Sequence, residues 1–452
     1  MTAHYSSLKP SKNKFNGQIP SHWNDVPIRS VCKFKSIQNN VGEQLLSVFL
    51  DRGVVRYSDT SGKQVHKPSE DMSKYQLVEP RDIVLNNQQA WRGSVGVSQY
   101  RGIVSPAYIV MSLDESINDR FVNYMIRNQA CVAQFVLASK GVGSIQRILS
   151  PTKLKSSFFT LPPREEQDQI VRYLDWKISK INKLINANKK HILLLVELKK
   201  SVVSHVVSQG LDPTVEMKHS GIEWLGKIPK HWKIAKLRQI LHPATQKNRP
   251  DLPLLSVVRE QGVIIRDVDD KESNHNFIPD DLSGYKVVRQ GQFAMNKMKA
   301  WQGSYGVSNY TGIVSPAYFV FDVEFPNLQY FHYAIRSKVY VNFFAQASDG
   351  IRVGQWDLSM EKMKEIPFLV PPADEQEAIV EYIPKILEKY DLQIQKLHEY
   401  VECLQEYKSN LISRVITGKI DVRNVDIPEY DKIEESFGEE LSNDDVALSE
   451  VN

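Results

Sequence analysis

The chain states one structural unit twice, and this constrains its fold more than any other feature. Residues 91–108 read WRGSVGVSQYRGIVSPAY and residues 301–318 read WQGSYGVSNYTGIVSPAY, with fourteen of eighteen positions identical. Ile19-Pro20-Ser21-His22-Trp23 returns as Ile228-Pro229-Lys230-His231-Trp232, and Leu45-Leu46-Ser47-Val48 returns as Leu254-Leu255-Ser256-Val257. Pro162-Pro163 with Glu166-Gln167 returns as Pro371-Pro372 with Glu375-Gln376, and the offset stays at 209 or 210 throughout. A period this long exceeds the roughly 20–50 residues of solenoid repeats, so the chain is a tandem duplication of a domain-sized unit. Such a chain suits gripping two similar things a fixed distance apart.

Charge is unevenly placed. The formal net charge of 452 residues is +4, yet residues 424–452 hold ten acids and one base, so residues 1–423 carry +13. A basic body favours a polyanion such as nucleic acid. Cys32, Cys131 and Cys403 are too dispersed for a zinc site or a redox pair. The start MTAHYSSLKPSKNKF has no apolar core of a signal peptide, and no run approaches 18 apolar residues. No membrane association is expected, and a reducing cytoplasm fits best.

Each copy has a mixed front and a helical back. Glu43–Leu50, Asp82–Asn86 and Gly102–Met111 read as short strands between turn residues. Residues 118–138 read as one helix from the spacing of Phe121, Tyr124, Met125, Asn128, Cys131, Val132 and Phe135, and Leu328–Ala347 is its counterpart. In the backs, Ile178, Ile181, Ile185, Asn188, Ile192, Leu195, Lys199, Val202 and Val206 alternate three- and four-residue steps. Leu387, Tyr390, Ile394, Leu397, Val401, Leu404, Lys408, Leu411 and Val415 do the same. Each series is the seam of a coiled coil, and the nearest partner for each helix is the other. Gly210 and Gly418 are placed to cap the two helices. The last 29 residues, strongly acidic and poor in aromatics, are expected to be disordered.

The machinery of an enzyme acting on DNA is not evident. There is no phosphate-binding GxxxxGK[ST] loop, no HExxH, and no Asp/Asn-Pro-Pro-aromatic tetrapeptide. Pro250-Asp251 with Asp269-Asp270-Lys271 loosely resembles a nuclease metal site. The first copy has nothing equivalent, and a solvated turn is the simpler reading.

The order of motifs resembles the specificity subunit of type I restriction–modification systems. Ile-Pro-x-His-Trp opens a copy and Pro-Pro-x-x-Glu-Gln leads into a long helix. Ser220-Gly221-Ile222-Glu223-Trp224-Leu225-Gly226-Lys227-Ile228-Pro229 resembles the entry to a second target-recognition domain. The resemblance covers roughly residues 15–420. One departure is Arg81-Asp82-Ile83, where these domains usually carry Gly-Asp-Ile; the second copy has Gly291-Gln292-Phe293. The resemblance implies an α+β chain of two tandem repeated α/β target-recognition domains, each followed by a long helix, with the two helices pairing as an antiparallel coiled coil. The domains would span 1–160 and 212–370, the spacer helices 161–211 and 371–420, and the acidic tail 421–452. Each domain would read half of a bipartite double-stranded DNA target. Two methyltransferase subunits would supply S-adenosylmethionine binding, and two motor–nuclease subunits would bring ATP and Mg. The chain itself would be non-catalytic and hold no cofactor. A self-contained DNA-modifying enzyme and a coiled-coil adaptor with duplicated protein-binding domains are the rival readings.

Alignment of the copies separates frame from candidate readers. Shared Ser94, Ser98, Ser304 and Ser308 are candidates for common phosphate contacts. Differing polar residues are candidates for base reading. Asn87, Gln88 and Gln89 become Lys297, Met298 and Lys299; Arg92 becomes Gln302; Gln99 becomes Asn309; Arg101 becomes Thr311. Arg suits guanine, and Gln or Asn suits adenine, in the major groove. A second segment offers Lys140, Ser144, Gln146 and Arg147 in one copy and Arg352 and Gln355 in the other. Trp91 and Trp301 are expected in the core.

Overall fold

Alternating apolar positions in each copy build a four-stranded antiparallel sheet. The computed structural model describes residues 4–50, 52–60, 68–141, 147–222, 225–267, 278–279, 281–352 and 355–436. In the first copy the sheet order is Cys32–Lys35, Tyr108–Leu113, Ile83–Asn86, Val95–Val97. In the second it is Leu241–Pro243, Tyr318–Val323, Phe293–Asn296, Tyr305–Val307. Smaller antiparallel pairs flank it, among them Leu46–Phe49 with Gly53–Arg56 and Gln76–Val78 with Gly102–Val104. The long strand expected over Gly102–Met111 is two strands, because Ser105-Pro106-Ala107 turns the chain and Tyr108 N–H closes on the Ser105 carbonyl at 3.0 Å. A Cβ on Gly102 would lie 2.5 Å from the Gln44 carbonyl oxygen, and one on Gly312 would lie 2.4 Å from that of Pro253. That close approach accounts for glycine at both equivalent places.

The expected helix 118–138 is two helices, Asp119–Ile126 and Gln129–Ala138. Arg127 ends the first and Asn128 caps the second, its side chain accepting from Ala130 N–H. A short amide that satisfies an orphan donor outcompetes helix continuation. The second copy breaks at Arg336-Ser337, between Leu328–Ile335 and Lys338–Gln346. Phe121, Phe135 and Phe159 are fully buried in the first core and Phe293, Phe331 and Phe344 in the second; each contributes roughly 1.5–3 kcal/mol.

The chain divides into two compact units, Met1–Asn186 with Val401–Ser436, and Ala187–Tyr400. Two long helices, Arg164–Gln209 and Ala373–Ile416, contribute to both. Within the first unit Ile181 and Ile185 share a core with Val401, Leu404 and Leu411. Within the second, Val206 and Val207 share one with Ile379 and Ile383. The start of one helix lies with the end of the other in each unit, so the pair is antiparallel. Gly210 and Gly418 end the helices at φ +82° and +70°.

The seam lysines show how the repeat is used. In the second unit Lys199 pairs with Asp391. In the first, Lys408 meets Asn182, the repeat equivalent of Asp391, at 3.2 Å. The missing carboxylate comes from Glu435, which also pairs with Lys408. The acidic segment expected to be disordered is therefore laid along the first helix as far as Ser436. Ser179 donates to the Asp431 carbonyl at 2.6 Å, Asn182 to that of Ile433 at 2.9 Å and Asn186 to that of Glu434 at 3.0 Å. Polar helix side chains that satisfy its backbone override what its composition suggests. Residues 437–452 lie outside those described.

Both repeated motifs meet at one carboxylate. Glu166 accepts from Trp23 Nε1 at 3.1 Å and from Tyr5 Oη at 2.6 Å, and bonds His22 Nε2 at 2.7 Å. Glu375 accepts from Trp232 Nε1 at 2.9 Å and bonds His231. Gln167 and Gln376 each donate to the carbonyl of the first proline of their Pro-Pro pair, at 2.9 and 2.8 Å. The helix start is thereby tied to the chain entry of each front. An acid in the first helical turn also faces the positive end of the helix dipole.

Candidate nucleic-acid interface

The two segments chosen from sequence come together in each copy. In the first, the loop after Ile83–Asn86 carries Asn87, Gln88, Gln89, Trp91 and Arg92. Gly93, at φ +106°, turns it back into the sheet. The hairpin Ser139–Lys140 with Ile148–Leu149 docks on this loop, Leu149 N–H donating to the Asn87 carbonyl at 3.1 Å. In the second copy, Leu358 N–H donates to the Lys297 carbonyl at 3.2 Å, joining the hairpin Ser348–Arg352 with Gln355–Leu358 to the loop 297–302.

An aromatic platform stands at each junction. Trp91 is half-buried, not the core residue expected, and its Nε1 donates to the Gln88 carbonyl at 2.8 Å. The guanidinium carbons of Arg92 and Arg147 lie 4.7 and 5.6 Å from its ring centroids. Trp301, also half-buried, instead stacks on Trp356 with centroids 5.6 Å apart. Trp356 is the repeat equivalent of Arg147. One frame therefore presents two guanidiniums on an indole in one copy and an indole pair in the other. The pairing joins residues more than fifty apart, and no local spacing announces it.

The remaining candidates divide. Gln88, Gln89, Lys140 and Lys299 are exposed, while Asn87, Lys297 and Gln302 are partly buried. Lys297 Nζ lies 3.0 Å from Asp357. The serines are not available for phosphate. Ser94 is 3% exposed and donates to the Val48 carbonyl at 2.9 Å; Ser98 and Ser308 donate to the carbonyls of Tyr100 and Tyr310 at 2.8 and 2.7 Å; Ser304 is 2% exposed. The Ser98 and Ser308 hydroxyls hold turns beneath the surface, and the Ser94 hydroxyl ties its segment to a neighbouring strand.

Gln99, Arg101, Asn309 and Thr311 are exposed but lie at the opposite end of the strand from the Trp loops, beyond the Ile83–Val97 and Phe293–Val307 pairings. Arg101 is moreover committed to Glu43 at 2.8 Å and Glu79 at 3.2 Å, and its guanidinium, bonded to the Glu43 carboxylate, holds its own proton more firmly than usual. Of Arg352 and Gln355 only the backbone is described, as partners across their hairpin. Ser144 and Gln146 lie outside the described residues.

Among the described residues, no group of three or more His, Cys, Asp and Glu could hold a metal ion. Asp251 is held by Arg249 through two contacts of 2.8 and 2.7 Å, and Asp269, Asp270 and Lys271 lie outside the described residues. No described helix is long and apolar enough to cross a membrane.

No family model matches the chain. Over 381 residues it is 23% identical to the type I restriction enzyme MjaVIII specificity subunit of Methanocaldococcus jannaschii, covering 78% of this chain and 84% of that protein. It is 24% identical over 381 residues to the MjaX specificity subunit of the same organism, covering 78% and 81%. A solved chain from work on complex assembly and conformational transition of the type I R-M system shares the fold with a TM-score of 0.58. It is 14% identical, and the match covers 88% of this chain and 98% of that one. The resemblance read from the repeated motifs is thus the one the comparisons return: the chain is similar to type I restriction-enzyme specificity subunits.

Proposed function

We propose that this chain is the DNA-specificity subunit of a type I restriction–modification complex, reading one half of a bipartite target with each front. The observation that carries this reading is the platform pair: one backbone frame, used twice, presents Arg92 and Arg147 on Trp91 in one copy and Gln302 beside the stacked Trp301 and Trp356 in the other. Two sites of equal shape and different polar lining suit two different half-sites on one duplex.

The chemistry follows from the side chains. A guanidinium held over an indole can offer two parallel hydrogen bonds to guanine O6 and N7, and a glutamine amide can pair with adenine N6 and N7. The +13 carried by residues 1–423 supplies attraction to the phosphate backbone. The two long helices contribute residues to both units. Their exposed Leu193, Leu194, Leu198, Tyr400 and Tyr407 are apolar surface for partner subunits to cover. Those partners are two methyltransferase subunits, which supply S-adenosylmethionine chemistry, and two motor–nuclease subunits using ATP and Mg. This chain contributes address and scaffold, and no catalytic group.

The test is a methylation map of host DNA with and without this chain. The reading expects one bipartite adenine-methylated sequence that vanishes with the chain. Native mass spectrometry of the co-expressed assembly is expected to show one copy of this chain with two methyltransferase subunits. A purified chain that methylates or cleaves DNA alone would overturn it.

A further inference from the structure

Gln76 and Lys286 occupy one position in the two copies. Gln76 faces Val104 across its strand pair and donates to the Tyr108 carbonyl at 2.6 Å. Lys286 faces Val314 and donates to the Tyr318 carbonyl at 2.6 Å. The exchange keeps the hydrogen bond and adds a charge. It recurs at two neighbouring positions. Gln38 precedes Asn39, whose N–H binds the Ser73 carbonyl at 2.9 Å; Lys247 precedes Asn248, whose N–H binds that of Ser283 at 3.1 Å. Asn87 and Lys297 each give a carbonyl to the docked hairpin, as described above. Three neutral amides in the first unit are thus three lysines in the second.

The lysines are neighbours in space. Val287 N–H donates to the Gln246 carbonyl at 2.8 Å, which lays residues 246 and 247 beside 286 and 287. Asn296 pairs with Tyr318, which brings Lys297 next to the carbonyl that Lys286 binds. Burial lowers the proton affinity of Lys286, and the Lys247 and Lys297 ammoniums lower it further. Asp357 offsets one of the three charges. In the first unit the position of Asp357 is Ile148, and the charge sits instead on the Trp91 platform, in Arg92 and Arg147.

We propose that Lys247, Lys286 and Lys297 form a phosphate clamp on the second unit, at positions that carry Gln38, Gln76 and Asn87 in the first, that grips the backbone of duplex DNA regardless of sequence. This rests on the DNA-reading function proposed above. A lysine is a compact point charge suited to a phosphate oxygen, whereas reading a base edge favours a planar fork or amide. The two fronts therefore hold one duplex by different physics: guanidiniums on an aromatic at one end, clustered ammoniums at the other.

The experiment compares the salt dependence of mixed-sequence duplex binding for the full chain and for Lys247→Gln/Lys286→Gln. Gln76 already shows that glutamine makes the carbonyl bond, so the frame is preserved. Each phosphate contact contributes about 0.9 to the slope of log K against log salt, so the double variant is expected to lose about 1.8. Gln76→Lys, placing the charge on the first unit, is expected to gain about 0.9, a gain that misfolding cannot produce. Unchanged slopes in both variants, with wild-type binding intact, would overturn the clamp. A loss confined to particular base sequences would also overturn it, marking the lysines as base readers. Absence of salt-dependent DNA binding in the wild type would instead sink the DNA-reading function itself.

Discussion

Lys408 donates to Asn182 at 3.2 Å, at the place where the repeat sets Lys199 against Asp391. One copy keeps its carboxylate within the helix pair; the other receives it from Glu435 in the segment after the second helix. Removing Glu435 leaves a partly buried ammonium facing only an amide. Glu435→Ala is expected to destabilise the chain by about 1–2 kcal/mol. Asn182→Asp in that background restores the arrangement of the other copy and is expected to recover most of the loss. Chemical denaturation of the three proteins checks this; equal stability of all three would show the ion pair to be inert.

Arg81 adopts a left-handed backbone, φ +75°, where the second copy has Gly291 at +87°. The conformation costs a residue with a side chain roughly 1–2 kcal/mol. Arg81 offsets this by donating to the carbonyls of Ile117 at 2.9 Å and of Asp114 and Glu115 at 3.3 Å. Arg81→Ala loses the bonds and keeps the strain, so we expect it to be the worse substitution. Arg81→Gly is expected to exceed it in stability by about 1 kcal/mol. Thermal melts of the pair decide, and Ala matching or beating Gly would refute the argument.

The second unit carries an acid sensitivity that the first lacks at the same position. Val307 N–H donates to His332 Nδ1 at 3.2 Å, where the first copy uses Asn123 for Val97. Burial, with the nearby Arg336 guanidinium, pushes the imidazole down from 6.5 to about 4. As pH falls the unfolded chain takes up the proton first. Stability is therefore complete above about pH 6.5 and drains away between 6.5 and about 4, by roughly 3 kcal/mol in all. His332→Asn is expected to flatten this part of the stability–pH curve, measured by urea denaturation at pH 7.5, 6, 5 and 4.5. A variant with the wild-type slope would exclude His332 as its source.

Arg92→Gln is expected to change preference only at the half-site read by the first front, by about 1–3 kcal/mol at one base pair. Gln302→Arg should act only on the other. Competition binding with each half-site altered in turn provides the measurement. A uniform loss over all sequences would assign these side chains to the phosphate backbone.

Periodicity and repetition made much of this legible. The duplication, the long paired helices and the loop positions all follow from apolar spacing and self-alignment. What escaped was decided by single side chains acting across the chain. Apolar spacing ran through Asn128 and could not show that its amide would break a helix. The serines of the identical block looked like surface groups, yet Ser94 and Ser304 are buried and the hydroxyls of Ser98 and Ser308 close turns beneath the surface. Acidic composition suggested a free tail, because nothing in that segment shows that Ser179, Asn182 and Asn186 would satisfy its backbone. The exchange of Gln38 and Gln76 for lysines lies outside the identical block, where the eye does not look for correspondence.

The carboxylates of Glu166 and Glu375 each clasp the tryptophan at which their front begins. Entry and exit of a front are therefore sealed by one device, built from the same Trp, His and Glu in both copies. In hereditary terms such a front is a cassette. A crossover within Ile-Pro-x-His-Trp and another within Pro-Pro-x-x-Glu-Gln would deliver a new front whose closing contacts already match the host, so under the proposed function an address would change by recombination while the scaffold stays as it is.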